Sequence, residues 1–323
     1  MAENSRIVFC GTGEFAVPTL DALMTSENRP VAVLTRADQP AGRGRRPRQS
    51  PVKERALQYG LDVLEPTTLR SEEEVERIRA LEPTVIVTAA YGLIFPRSVL
   101  DIAPRGAINI HPSLLPRHRG PAPVVWTLLE GDENAGISIF LLEEGVDTGP
   151  LLSQRVVPIR SGETAGELTE RLSQLGATLL VETLGNWLDG SITPEAQDHD
   201  LATQSRMLEK TDGALDWNSP AQELERRVLA MTPWPGAHTT LAGKRLNIRR
   251  AIALPPEYDP RGAAPGQVVR LRRSEDGGGM GVAIGTGEGL LELLEVQAEG
   301  RRTIPARDFA RGSADFIGAT LPS

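Results

Sequence analysis

The sequence predicts an α/β domain with a doubly wound sheet, followed by a small β-barrel domain. In the first half of the chain, apolar runs of strand length alternate with helical segments, as in a parallel sheet covered by helices on both faces. From Glu209 onward the apolar runs are short and broken by glycine and proline, which is typical of hairpin-rich β structure. The 323 residues suffice for two domains that each bury a core.

Apolar runs predict the strands of the first sheet. Four of them are RIVFCG, PVAVLTR, TVIVTAAYG and GAINIH, and the last ends at His111. Their near-continuous apolar character suits parallel strands that are covered on both faces. AGISIFLLE and LLSQRVVPI continue the series of strands.

Capping and termination signals place the helices between these strands. SEEEVERIRALEP opens with acids and stops at Pro83, which suits the helix dipole and the rule that helices end before proline. Thr164 and Glu167 form a potential capping box for a long helix with leucines at helical spacing. That helix is predicted to close the first domain near Gly190.

These patterns divide the chain into three segments. We predict an α/β domain over residues 1–190, a polar and weakly periodic linker over residues 191–208, and a β domain over residues 209–323. The β domain contains one predicted helix near Pro220 to Met231. It is otherwise expected to form a small barrel.

Composition excludes several classes of protein. Cys10 is the only cysteine, so no disulfide framework and no cysteine metal cluster is expected, and the four histidines lack zinc-ligand spacing. No signal-peptide core and no bilayer-length apolar run is present, so we expect a cytoplasmic protein without a membrane partner. Nucleophile-elbow, Walker A and H-E-x-x-H motifs are absent from the sequence.

A short glycine motif is compatible with a dinucleotide-binding dehydrogenase. GTGEFA, at Gly11–Ala16, fits G-x-G-x-x-A after a strand, and Arg36 ends the second strand where an NADP enzyme holds a 2′-phosphate. However, Glu14 would place a carboxylate where the pyrophosphate binds. The competing interpretation is a tight strand-to-helix turn.

Three polar residues follow strand ends and suggest acyl-transfer chemistry. Asn109 and His111 lie two apart at the end of GAINIH, so they are expected on the same side of the sheet, at the edge where α/β folds bind ligands. An amide donor beside an imidazole can stabilise an oxyanion. Asp147, in the turn EEGVDTGP after another strand, could approach the same edge and orient His111.

A basic stretch interrupts the acidic first half of a chain with net charge −8. Arg36 to Lys53 contains six basic residues and one acidic residue, with Gly42 and Gly44 between the arginines. It is either a solvated loop or a flexible arm that binds phosphates.

The motifs resemble those of the formyltransferases that take a one-carbon unit from 10-formyltetrahydrofolate. NIHPSLLPRHRGPAP and GVDTGP carry the resemblance, and it extends through GTGEFAVPTLDAL, DQPAGRGRRPRQSPVK, AAYGLIFP and LDWNSPAQELERRVLAMTPWPGA. Within that superfamily, the chain looks like the members that formylate methionyl-tRNA. The resemblance implies a Rossmann-like N-terminal domain and an OB-like C-terminal barrel that helps to hold the tRNA.

The resemblance also implies roles for individual residues. It makes Asn109, His111 and Asp147 the catalytic group. The implied folate-site residues are Ser113, Leu114, Leu115 and Pro116, together with Tyr91, Gly92, Leu93 and Ile94. The implied tRNA-binding residues are Arg43, Arg45 and Arg46.

The implied substrates are 10-formyltetrahydrofolate as formyl donor and initiator methionyl-tRNA as acceptor, with no metal. We expect a monomer. His118 departs from the family pattern, because an aromatic residue often stands there, and the expected effect is confined to local packing or to contacts at the folate rim. Two further classes remain open from the residues: a formyltransferase for a small amine such as a sugar nucleotide or glycinamide ribonucleotide, and a non-catalytic tRNA-binding module.

Overall fold

The structure, a computed structural model, describes residues 5–41, 46–258, 262–272, 280–313 and 315–322. These residues form two compact units. The first unit comprises the described part of Met1–Pro123, with Asn134–Pro158 and Thr169–Ser205, and the second comprises Val124–Glu133, Ile159–Leu168 and the described part of Arg206–Ser323.

The first unit is built on a mainly parallel sheet. In chain order its strands are β1 (Ile7–Gly11), β2 (Pro30–Leu34), β3 (Gln39–Ala41), β4 (Arg46–Arg48), β5 (Asp62–Leu64), β6 (Val85–Ala89), β7 (Ala107–His111), β8 (Asn134–Leu141) and β9 (Leu151–Pro158). Seven of them form one sheet in the order β5-β2-β1-β6-β7-β8-β9, and β3 pairs with β4 separately. The strands β5, β2, β1, β6 and β7 are parallel to one another, whereas β8 is antiparallel to both of its neighbours, β7 and β9.

The described chain up to residue 190 contains helices of both units, because residues 124–133 and 159–168 belong to the second one. The helices are α1 (Val17–Thr25), α2 (Pro51–Gln58), α3 (Glu72–Arg79), α4 (Arg97–Leu100), α5 (Pro123–Glu130) and α6 (Ala165–Leu188). Ser71 caps α3 by accepting from Glu74 N, and the helix ends before Pro83 as predicted. The Thr164–Glu167 capping box is also present, since each residue's backbone N–H donates to the other's side chain. The predicted doubly wound α/β fold is therefore confirmed.

A close approach between α6 and β7 fixes the strand that carries the site. Gly176 of α6 lies so near β7 that a Cβ atom on it would come within 2.9 Å of Ile110 Cγ2. Ile108 and Ile110 are buried. Since side chains alternate along a strand, Asn109 and His111 belong to the opposite face of the sheet from these isoleucines.

The second unit has an antiparallel sheet with two helices. Its strands are β10 (His238–Leu241), β11 (Lys244–Leu254), β12 (Val268–Arg270), β13 (Val282–Gly285), β14 (Leu290–Ala298) and β15 (Ile304–Pro305), and its helices after residue 206 are α7 (Ala221–Ala230) and α8 (Ala306–Gly312). The strand order is β10-β11-β14-β13-β12, with β15 paired to β14. Trp217, Val228 and Phe316 are among the buried residues of its core. This is the predicted OB-like β domain.

The observed units differ from the predicted segments at both sides of the linker. Much of the predicted linker, up to Ser205, belongs to the first unit, because Glu195 exchanges two backbone hydrogen bonds with Leu151 of β9. Conversely, residues 124–133 and 159–168 belong to the second unit. Hydrogen bonds from Ile159 N to Glu133 O and from Gly166 N to Thr232 O hold these segments there. None of the described helices is long and apolar enough to span a membrane.

Candidate active site

Asn109 projects an amide whose orientation is set by the neighbouring strand. Thr88 of β6 lies in register with Asn109, and its buried hydroxyl donates to Asn109 Oδ1 at 2.5 Å. With Oδ1 engaged, Nδ2 is the atom oriented to donate to another group. Sequence reasoning missed Thr88, because only strand pairing places it beside Asn109.

His111 is buried and is fixed at one ring nitrogen by a backbone carbonyl. Its Nε2 lies 3.0 Å from the carbonyl oxygen of His118, and a carbonyl can only accept, so Nε2 carries the hydrogen. The other ring nitrogen, Nδ1, lies 3.6 Å from Asp147 Oδ2. Burial lowers the pKa of His111 below its usual value of 6.5, and the Asp147 carboxylate only partly opposes this. The imidazole is therefore neutral near neutral pH, with its lone pair on Nδ1.

The position of His118 differs from the expectation of a peripheral residue. Its backbone has a positive φ of 58°, a conformation that turns the chain, and its carbonyl contacts the catalytic candidate His111 directly. Its backbone N–H donates to Thr203 Oγ1 at 2.8 Å. His118 thus helps to select the His111 tautomer through its backbone.

Asp147 reaches His111 on the loop between β8 and β9, which starts at the opposite end of β7 from His111. Because β8 is antiparallel, the loop after it starts at the beginning of β7, where Leu142 N donates to Ala107 O at 2.7 Å. The chain then turns back, and Asp147 reaches His111 at the other end of β7. Asp147 has a φ of 52°, a left-handed conformation that aspartate tolerates better than most residues. Gly120 N donates to Asp147 Oδ2 at 2.7 Å and holds the carboxylate.

The three predicted catalytic residues therefore converge. His111 and Asp147 are in contact, and Asn109 shares the strand and the face of His111. A neutral amide donor, a neutral imidazole and a carboxylate can together stabilise a developing oxyanion and take up a proton.

Two further buried residues, Arg119 and Gln197, hold the Asp147 loop. Gln197 Nε2 donates to the backbone oxygens of Asp147 and Gly149, at 2.9 and 2.7 Å. Its Oε1 accepts from Arg119 Nε and Nη2 at 3.1 and 2.7 Å. Gln197 was assigned to the linker, and its local sequence carries no signal that would single it out.

The predicted folate-site segment Ser113–Pro116 is adjacent to His111 in the chain and is tied to β8 and β9. Ser138 Oγ donates to Ser113 O at 2.6 Å and accepts from Leu115 N at 3.0 Å, while Gln154 Nε2 donates to Leu115 O at 2.8 Å. Ser113 and Leu115 are buried, and Leu114 and Pro116 are half-buried. These hydrogen bonds tie the segment to the two strands, and its partly exposed members are Leu114 and Pro116.

The second predicted folate segment, Tyr91–Ile94, divides between core and surface. The Tyr91 ring is buried in the core cluster and packs against Phe95, with ring centroids 5.7 Å apart. Gly92 is exposed, Leu93 is half-buried and Ile94 is 73% exposed. The exposed surface of this segment is therefore contributed mainly by Gly92 and Ile94.

The structure describes little of the three predicted tRNA-binding arginines. Arg43 and Arg45 lie outside the described residues, and for Arg46 the structure describes only the backbone, in β4. The last basic residue of the stretch, Lys53, forms ion pairs with Asp38 and Glu65 at 2.9 and 2.8 Å. Lys53 is therefore a structural cation at the base of this stretch.

Within the described ranges, no group of three or more histidine, cysteine, aspartate or glutamate residues could hold a metal ion. Cys10 is buried in β1, and burial raises the pKa of its thiol. A buried neutral thiol is unsuited to nucleophilic catalysis.

Two family models match the sequence, one over most of the first unit and one over most of the second. A family model described as formyl transferase matches residues 5–184, and a model described as formyl transferase, C-terminal domain, matches residues 207–314. These matches cover both units and define a formyl transferase with its C-terminal domain.

Curated relatives narrow the class. A methionyl-tRNA formyltransferase of Solibacter usitatus (strain Ellin6076) is 44% identical over 307 residues, which are 95% of each chain. One of Roseiflexus castenholzii (strain DSM 13941 / HLO8) is 46% identical over 308 residues, covering 95% of this chain and 96% of the relative. The chain belongs to the methionyl-tRNA formyltransferase family.

Solved structures with low identity share the fold. HypX from Aquifex aeolicus, solved with tetrahydrofolic acid, has a TM-score of 0.63 at 19% identity and covers 98% of this chain and 48% of its own. An N-formyltransferase from Helicobacter canadensis, solved with folinic acid and dTDP-3-aminofucose, has a TM-score of 0.64 at 13% identity. The match covers 91% of this chain and 99% of that one. These similarities support the fold.

Proposed function

We propose that this protein transfers the formyl group of 10-formyltetrahydrofolate to the free α-amine of initiator methionyl-tRNA. The observation that carries the proposal is the contact of His111 Nδ1 with Asp147 Oδ2 beside the oriented amide of Asn109. The substrates follow from membership in the methionyl-tRNA formyltransferase family.

The acceptor amine attacks the formyl carbon in its neutral form. An α-amine has a reference pKa near 8, so a useful fraction is neutral at cytosolic pH. The new bond joins the amine nitrogen to the formyl carbon, and the carbonyl electron pair moves onto oxygen. Asn109 Nδ2, which Thr88 orients, is placed to donate to that oxyanion.

The attacking nitrogen must then lose a proton. His111 is neutral, and its Nδ1 faces Asp147, so the His111–Asp147 pair is the proton acceptor. The imidazolium that forms is stabilised by the adjacent carboxylate. His111 enters the reaction as a base and not as a charged donor, because burial disfavours the protonated ring.

Collapse of the intermediate completes the transfer. The bond between the formyl carbon and N10 of the folate breaks, and its two electrons stay on N10. The His111–Asp147 pair then returns the proton to N10. The products are formyl-methionyl-tRNA and tetrahydrofolate. The Ser113–Pro116 segment, tied to β8 and β9 and adjacent to His111, is the proposed wall that holds the donor.

The acceptor is a polyanion, and we propose that Arg43, Arg45 and Arg46 contact its phosphates. The guanidinium group of arginine can donate two parallel hydrogen bonds to phosphate oxygens. Such contacts weaken as the salt concentration is raised. We also propose that the protein is cytoplasmic and monomeric. Size-exclusion chromatography with light scattering measures its molar mass and so tests the monomer.

Incubation with methionyl-tRNA and 10-formyltetrahydrofolate tests the function. Release of the amino acid and mass analysis should show methionine with one hydrogen replaced by CHO. Unacylated tRNA with free methionine, and a sugar-nucleotide amine, are the matched controls. Formylation of the small amine in place of methionyl-tRNA would overturn the proposal.

A further inference from the structure

The side-chain amide of Gln197 is buried, and all of its hydrogen-bonding positions are used. Its two N–H bonds point to the backbone oxygens of Asp147 and Gly149, and its oxygen accepts two bonds from Arg119. An amide with four satisfied positions cannot rotate without losing several hydrogen bonds at once. Gln197 is therefore a rigid tie between Arg119 and the loop.

Arg119 fixes the direction of that tie. It is 4% exposed and buried beside Gln197. Its side chain donates to Gln197 Oε1 and to His199 Nδ1. Because a guanidinium only donates, Gln197 must present its oxygen to Arg119 and its NH₂ group to the loop, and the nearby cation strengthens the NH₂ group as a donor.

Apart from the bond from Gly120 N to the Asp147 carboxylate, the loop before Asp147 lies mostly in solvent. Residues 143–146 are exposed, and Val146 is 64% exposed, so the approach to Asp147 contributes no core packing. Asp147 itself has a left-handed backbone, which costs free energy unless its surroundings impose it. The hydrogen bonds from Gln197 are made to the oxygens on either side of Thr148, so they hold the backbone that carries the carboxylate.

We propose that Gln197, held by Arg119, is a positioning residue that keeps the Asp147 carboxylate against His111 during formyl transfer. This proposal rests on the proposed function for its kinetic part. Gln197 acts through the backbone of Asp147 and touches neither substrate. Its loss should therefore reduce turnover without changing the affinity for the formyl donor.

Two substitutions separate the hydrogen bonds that Gln197 accepts from Arg119 from those that it donates to the loop. Gln197→Met removes both the donors and the acceptor, whereas Gln197→Glu keeps an acceptor for Arg119 but cannot donate to the carbonyls of Asp147 and Gly149. Gln297→Met is the matched control, because Gln297 in β14 also accepts from an arginine, Arg249, and donates to a backbone oxygen. The control removes the same kind of contact away from the Asp147 loop.

We expect kcat to fall about 10- to 100-fold in both Gln197 variants, since displacement of a catalytic group by about 1 Å has this effect. The KM for 10-formyltetrahydrofolate should stay within about twofold, and Gln297→Met should keep the wild-type kcat. Wild-type kcat in folded Gln197→Glu would overturn the proposal. If Gln197→Met is not recovered in folded form, the split between kcat and KM in Gln197→Glu decides alone.

The titration of His111 gives a readout that is independent of activity. The groups whose charges act on His111 are Asp147, which raises its pKa, and His118, which lowers it. In Gln197→Met the carboxylate withdraws, so the His111 NMR titration should move to lower pH, while Gln297→Met leaves it unchanged. An unmoved titration alongside reduced kcat would make Gln197 merely structural and overturn the proposal. If the wild type does not formylate methionyl-tRNA, the proposed function fails, and the titration still decides whether Gln197 positions Asp147.

Discussion

Asp147→Asn removes one charge from the site and little else. Asparagine has nearly the same shape, tolerates a φ of 52°, and its oxygen can still accept from Gly120 N. Alanine would be a poorer probe, because it loses the Gly120 bond and adds backbone strain at positive φ. The asparagine variant therefore isolates the electrostatic role of the carboxylate.

The magnitude follows from the separation between the two side chains. With His111 Nδ1 and Asp147 Oδ2 3.6 Å apart, an imidazolium in the transition state gains about 5 kcal/mol from the carboxylate at an effective dielectric constant of about 20. Each 1.4 kcal/mol or so corresponds to a factor of ten in rate. We therefore expect kcat to fall by about 10³-fold.

The assay is the rate of formyl-methionine formation at saturating methionyl-tRNA and 10-formyltetrahydrofolate, with thermal unfolding measured on the same samples. Asp101→Asn is the matched control, because Asp101 forms only an exposed pair with Arg97, and such pairs contribute little. If folded Asp147→Asn keeps a kcat within about threefold of wild type, the proposed stabilisation of the imidazolium is refuted.

Three further predictions concern the oxyanion donor, the basic stretch and the buried imidazole. Asn109→Ala should lower kcat by about 10²- to 10³-fold in folded protein, and near-native turnover would contradict its assignment as oxyanion donor. Arg43→Ala should raise the KM for the tRNA more than that for the folate and reduce the salt dependence of tRNA binding, whereas equal effects on both substrates would indicate a structural loop. Burial holds the pKa of His111 below 6.5 in the folded protein, so the unfolded chain binds the proton more readily and the free energy of unfolding falls as the pH drops below about 6.5. His111→Gln should make this fall shallower in thermal unfolding between about pH 7 and pH 5, and an unchanged pH dependence would contradict the buried neutral state.

Local patterns were sufficient for most of the individual elements. The apolar runs before His111 each became a strand, and the Thr164–Glu167 box begins α6 as predicted. These features depend on side-chain periodicity and on hydrogen bonds between residues a few positions apart. Such information is contained in short stretches of sequence.

The sequence also indicated which residues to bring together but not how they meet. Asp147 was expected to follow a strand to the edge of the sheet where Asn109 and His111 lie. Instead, the strand before it is antiparallel, and the loop returns from the opposite end of β7. Strand direction depends on pairing between distant segments, and an apolar run does not encode it.

Residues that hold the candidate catalytic groups in place were the ones that sequence reasoning missed. Thr88 stands in an apolar run, Gln197 in a polar one, and His118 was expected to matter only for packing or the folate rim. Each became relevant through one contact across the fold: Thr88 with Asn109, Gln197 with the Asp147 loop, and the His118 carbonyl with His111. A hydrogen bond between residues about 50 positions apart, as between Gln197 and Asp147, leaves no periodic trace.

By itself, the sequence determined the fold class, the catalytic candidates and the family, because periodicity, capping residues and long motifs are local properties of the chain. Only the tertiary structure decided that His111 is neutral, which of its nitrogens faces Asp147, and what holds the loop in place. The physical reason is that burial and hydrogen-bond partners, which set a pKa and a tautomer, come from segments that meet only when the chain folds.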